Sequence, residues 1–171
     1  MTRGEAAAMS RQFIAKSLDR ESAEQSYALA RNAVSGVSLA EWRRFLEERA
    51  GAAAGEGGVL AIQNRLGIIQ GICTYRFDPA LGLGKVCAAE VLVTLDLVDT
   101  APVAAALLQA LEDLARRKGA AAMRVSLPQD APTTGRLVVR LVERGHLVDA
   151  IGLVKDLREA AAPLRPCWPS R

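Results

Sequence analysis

The stretch that most constrains this chain runs from Val86 to Gly119. It reads as a long apolar segment, VCAAEVLVTLDL over residues 86–97, then the turn Asp99-Thr100-Ala101-Pro102, then an Ala/Leu-rich helix. An apolar strand that feeds a helix through a short turn is the first half of a β-α-β crossover, which commits the chain to a sheet with a helix on its face. Val103, Leu107, Leu108, Leu111 and Leu114 recur at helical spacing and form the buried stripe. Thr100 or Asp99 supplies the cap, and Pro102 sits in the first turn, where its missing N–H costs nothing. The last turn, Arg116-Arg117-Lys118, complements the helix dipole, and Gly119 terminates it. In α/β proteins the mouth between such a strand and helix is where ligands and phosphates bind. Here the turn carries neither glycine nor a basic residue.

The flanking segments fix the sheet type. Ser38-Leu39-Ala40-Glu41 is a capping box that opens a helix running to Arg49, with Leu39, Trp42, Phe45 and Leu46 on one face. Residues 59–63 and 68–77 are strands joined by the hairpin turn Asn64-Arg65-Leu66-Gly67. Residues 78–84 return the chain into the 86–97 strand. Beyond Gly119 come a strand at 122–127, a helix at 134–144 stopped by Gly145, and closing strands at 147–150 and 152–157. A short strand is expected at Tyr27-Ala28-Leu29-Ala30. Antiparallel hairpins followed by a parallel β-α-β unit predict an α/β fold: a mixed, mostly antiparallel central sheet with one parallel pair and helices on both faces. Residues 1–24 read as a polar leader, 25–157 as the folded domain, and 158–171, with Pro163, Pro166 and Pro169, as an irregular tail.

Several function classes are excluded at this stage. The net charge of +3 does not suggest a nucleic-acid partner. The N-terminus is charged throughout, and no apolar run reaches spanning length, so neither a signal peptide nor a membrane partner is expected and the cytoplasm is the default location. Cys73, Cys87 and Cys167 are widely spaced; with the single His146 they make no zinc set, no metal is expected, and reduced thiols follow. Gly84-Lys85 lacks the rest of a P-loop, and no nucleophile elbow or dinucleotide fingerprint is present.

The order of elements resembles the GNAT-type N-acetyltransferase fold over roughly Gln25 to Leu157. The run LVTLDLVDTAPVAAALLQALEDLARRKGA looks like the family's central strand, pyrophosphate loop and following helix, and RLVVRLVERGHLVDAIGLVKDL looks like its last helix and closing hairpin. The family's loop pattern, Q/R-x-x-G-x-G/A, falls on Asp99 to Ala104, where only Ala104 matches. Pro102 removes one backbone donor, and Asp99 brings a negative charge toward the phosphates. The position of the family's frequent general-acid tyrosine is Leu141. The resemblance implies acetyl-CoA as acyl donor, its pantetheine arm along the backbone of Leu95 to Leu97 and its pyrophosphate at the N–H groups of Val103, Ala104 and Ala105. It implies a small-molecule or peptide primary amine as acceptor, attacking the thioester in a ternary complex. A second copy of the chain is a further candidate partner. The alternative function is a non-catalytic GNAT-like module for binding or dimerisation, which the Asp99/Pro102 turn favours.

Glu90 is the candidate catalytic residue. On strand alternation it shares a face with Ala88, Leu92 and Thr94. A glutamate in a central strand is partly desolvated, which favours it as a proton acceptor. Some branches of the resembled family use a glutamate on this strand to deprotonate the amine. The bland alternative is a glutamate paired with a lysine or arginine. Cys87 reads as a core hydrophobe, His146 as structural, and Tyr75 as strand packing or as a wall of the acceptor pocket.

Overall fold

The computed structural model describes residues 13–51, 56–94, 101–127 and 134–147. The chain divides into two compact units, Met1–Leu127 and Pro128–Arg171. In the first, β1 (Phe13–Ser17) leads through a short 3-10 turn into α1 (Ala23–Ala33) and α2 (Leu39–Gly51). The strands β2 (Gly57–Asn64), β3 (Ile69–Ala80) and β4 (Gly84–Thr94) follow, then α3 (Ala101–Arg117) and β5 (Ala122–Val125). The second unit contributes α4 (Thr134–Glu143).

The five strands form one sheet in the order β1-β2-β3-β4-β5. Successive strands from β1 to β4 pair antiparallel, and β4 pairs with β5 in parallel, so residues 86–94 lie in an interior strand as expected. The β2–β3 turn follows from Asn64, whose side-chain oxygen accepts from the N–H groups of Leu66 and Ile68, both at 3.0 Å. Gly67 closes the turn at φ 78°, a left-handed conformation costly for other residues.

Helices cover both faces. Leu29 and Ala30 of α1 and Trp42 and Leu46 of α2 share one buried cluster with Val59, Ala61 and Ile72 of the sheet. Neighbouring Gly71 points the other way, and a Cβ there would stand 3.0 Å from Val103 Cγ1 of α3. On that face α3 buries Leu107, Leu108 and Leu111, the stripe read from spacing.

Two expectations are corrected. Tyr27-Ala28-Leu29-Ala30 is helical, part of α1. Its buried residues Ala23, Ser26, Leu29 and Ala30 follow a helical period, which four residues read alone do not reveal. The N-terminal strand lies earlier, inside the supposed leader: β1 pairs with β2 from Phe13↔Asn64 to Ser17↔Leu60. Four of its five residues are exposed, as befits an edge strand, so it carries no alternating apolar signal. The expected strand residues 95–97 and 148–157, and the tail, lie outside the described residues.

A buried polar pair ties α1 to α2. The Ser26 hydroxyl donates to the Ser22 carbonyl at 2.8 Å and accepts from the Trp42 indole N–H at 2.9 Å. Ser26→Ala strands that indole N–H in the core and is expected to cost about 1–3 kcal/mol, read as a lower urea midpoint. An unchanged midpoint would show that the indole finds another partner.

Candidate functional site

The site is built where β4 parts from β5. The parallel ladder runs from Val86↔Ala122 to Ala89↔Val125, and Ser126 N–H donates to the Ala89 carbonyl at 2.8 Å. Among the described residues, β4 continues to Thr94 with no further pairing to β5. Its edge there offers backbone amides to a ligand.

At the same point β4 bulges against β3. Thr74 pairs with Val91 and Tyr75 with Ala89, so Glu90 is the extra residue. A bulge re-aims a side chain and breaks the period of two. Leu92, opposite Cys73, therefore shares a face with Ala89, opposite Tyr75, and not with Ala88 as simple alternation requires.

Glu90, at the bulge, is not a free carboxylate. One oxygen is held by the Arg76 guanidinium of β3, and the other lies 3.7 Å from Arg49 Nη2 at the end of α2. The side chain is 33% exposed, within reach of a solute. The ion pairing expected of the bland alternative is thus present, on a carboxylate that is also partly desolvated. Arg76 is shared, its Nε also donating to Asp78 at 2.5 Å. Arg49 is positioned by Phe45, over whose ring its guanidinium sits at 5.1 Å, and Phe45 stacks on Trp42 at 5.6 Å. Neither arginine is visible as a partner in sequence, because the three side chains come from separate elements.

The start of α3 forms the second part. The helix opens at Ala101, so the N–H of Val103, in its first turn, has no partner within the helix. Ala104 and Ala105 stand one turn in, where helix geometry turns their N–H groups to carbonyls of the cap and of the helix. Pro102 has no N–H, and the first turn holds no basic residue. The open strand edge and the Val103 N–H fit an acyl-CoA, with fewer phosphate contacts than a glycine-rich loop gives. Leu95, Leu97 and Asp99 lie outside the described residues.

The remaining candidates are structural. Tyr75 is buried with its hydroxyl over Gly58, where a Cβ would come within 2.8 Å, and burial pushes its phenol above the ordinary value. Burial pushes the Cys73 thiol up to about 12 and Cys87 up to about 11, so both stay protonated at neutral pH and neither is an activated nucleophile. His146 caps α4: its N–H donates to the Leu141 carbonyl at 2.9 Å, and its Nδ1 lies 3.2 Å from the same oxygen. An open cavity of about 670 Å³ beside Phe77, Leu81 and Lys85 lies at the hairpin end of β4, away from the bulge. No helix among the described residues is long and apolar enough to cross a membrane.

No protein-family model matches the chain, and no curated protein matches it in sequence. Solved structures match it in fold. The aminoglycoside N-acetyltransferase AAC(6′)-Iy in complex with CoA is 15% identical, with a TM-score of 0.69 over 85% of this chain and 95% of that one. A GNAT family acetyltransferase from Staphylococcus aureus is 12% identical, with a TM-score of 0.68 over 85% and 99%. A transcriptional regulator from Bacillus halodurans is 16% identical, with a TM-score of 0.70 over 85% and 99%. The chain has the GNAT-type N-acetyltransferase fold.

Proposed function

We propose that the protein is an acyl-CoA-dependent N-acyltransferase that moves an acetyl group to a primary amine on a small molecule or peptide. The observation that carries the reading is the coincidence of the β4–β5 divergence with the bulge that presents Glu90. The acyl-CoA supplies a thioester, whose C–S bond breaks as the C–N bond to the amine forms. The pantetheine arm runs along the free edge of β4, from the bulge toward Leu95 and Leu97. The Val103 N–H and the positive end of the helix dipole hold the pyrophosphate at the start of α3. Backbone amides of β4 orient and polarise the thioester carbonyl. Glu90 receives the acceptor as its ammonium and takes the proton that frees the lone pair, passing it to solvent; the second proton, lost as the amide forms, goes to the departing thiolate. The ammonium displaces Arg76 from Glu90, and Arg76 keeps its bond to Asp78. The free, buried thiols suit a reducing cytoplasm.

A second reading, a non-catalytic module with the same fold, is favoured by two features. Asp99 and Pro102 stand where phosphate donors are needed, and Glu90 is ion-paired. Titration with acetyl-CoA, followed by calorimetry and thermal shift, separates the two readings. The enzyme is expected to bind and to be stabilised further with each rise in ligand concentration, logarithmically once the site is saturated. Asp99→Arg with Pro102→Gly should tighten binding by about 1–2 kcal/mol for each restored charge-assisted contact. A folded double variant that still ignores millimolar CoA would favour the module.

A further inference from the structure

We infer that the acceptor is a zwitterion, an amine carrying a carboxylate close by, as in an α-amino acid. The inference rests on the acyltransferase reading and goes on to the substrate class of that site. Four charged side chains stand in alternation across the bulge: Arg49, Glu90, Arg76 and Asp78. Their side chains are between 29% and 44% exposed, so the row is open to solute.

The alternation selects among acceptors. A polyamine approaching Glu90 meets guanidinium groups on both sides, one from α2 and one from β3. A phosphorylated or dicarboxylic acceptor meets Glu90 and Asp78. A zwitterion matches the row, with its ammonium on Glu90 and its carboxylate on the flanking arginines. Those arginines have donors to give. A guanidinium carries five N–H groups, and the contacts to Glu90 and Asp78 use two of Arg76's. Arg49 meets Glu90 at 3.7 Å, longer than a good hydrogen bond, and is held in place by its stacking on Phe45. Planar guanidinium groups suit a carboxylate, which they bind through paired N–H groups.

The test follows CoA release from acetyl-CoA with L-alanine, L-leucine and L-phenylalanine, each beside its methyl ester and its decarboxylated amine, with spermidine as the polycation. Binding of the same compounds is measured by calorimetry with CoA present, and thermal unfolding reports the fold of each variant. The free amino acids are expected to exceed their esters in kcat/KM by roughly tenfold or more. Arg49→Gln and Arg76→Gln should each raise KM for the amino acids relative to KM for their esters, narrowing the preference for the free carboxylate. Esters or spermidine performing as well as the amino acids would overturn the inference and leave the acyltransferase standing. So would CoA binding with no amino acid bound or acetylated. A chain that binds no acetyl-CoA overturns the acyltransferase reading and the inference with it.

Discussion

Glu90→Gln should slow acyl transfer roughly ten- to a thousand-fold while leaving CoA affinity unchanged. The amide has the size of the carboxylate and can still accept a hydrogen bond from Arg76, so the bulge and its neighbours stay in place. It lacks the basicity to take a proton from the amine, and water replaces it only in part. The loss should be largest at low pH, where the acceptor amine is mostly protonated and its proton must be removed before attack. The pH profile separates this role from a positioning one. If Glu90 only organises Arg49 and Arg76, the substitution shifts KM for the acceptor and leaves the profile of kcat alone. Unchanged turnover would remove Glu90 from the chemistry. No other acidic residue lies within Gly84–Thr94, so the base would have to come from outside β4.

The parts of this site that sequence reveals are those set by local chemistry. The capping box at Ser38 is one: Glu41 accepts from the Ser38 N–H at 2.8 Å, and the Glu41 N–H donates back to the Ser38 hydroxyl at 3.2 Å. The Asn64 turn and the α3 stripe are others, because each is written within a few residues. The bulge at Glu90 is different. It exists only in the pairing of β4 with β3, and nothing in VCAAEVLVT marks which residue is extra. Alternation puts Glu90 on a face with both Ala88 and Leu92; the pairing keeps it with Ala88, opposite Arg76, and the bulge takes Leu92 to the other face. β1 was missed for a related reason. An edge strand buried on little of its surface shows no apolar period, and its identity comes from the strand it joins.

The stability of the site should depend on the core beneath α2 more than on the charges at its surface. Leu46→Ala is expected to lower unfolding free energy by about 3–5 kcal/mol, the range for removing a fully buried leucine. Leu46 is completely buried, in the cluster formed by Leu29, Trp42, Val59 and Ile72. Rigid strands on one side and a packed helix on the other leave the space little freedom to collapse, so transfer and cavity costs add. In contrast, the ion pairs of Arg43 with Glu24 and of Arg20 with Glu47 are solvent-exposed, where screening and side-chain entropy cancel most of the attraction. Arg43→Ala should therefore barely move the urea midpoint, whereas Leu46→Ala should lower it sharply at constant m. The same comparison bears on the site, since Arg49 lies one turn beyond Leu46 on α2. In Leu46→Ala protein still folded at low temperature, a loosened α2 should raise KM for the acceptor and spare CoA binding, which the proposed mechanism assigns to β4 and α3. Equal losses of both would show that the two halves of the site are held by one core, and a midpoint unchanged by Leu46→Ala would show that α2 does not depend on this cluster.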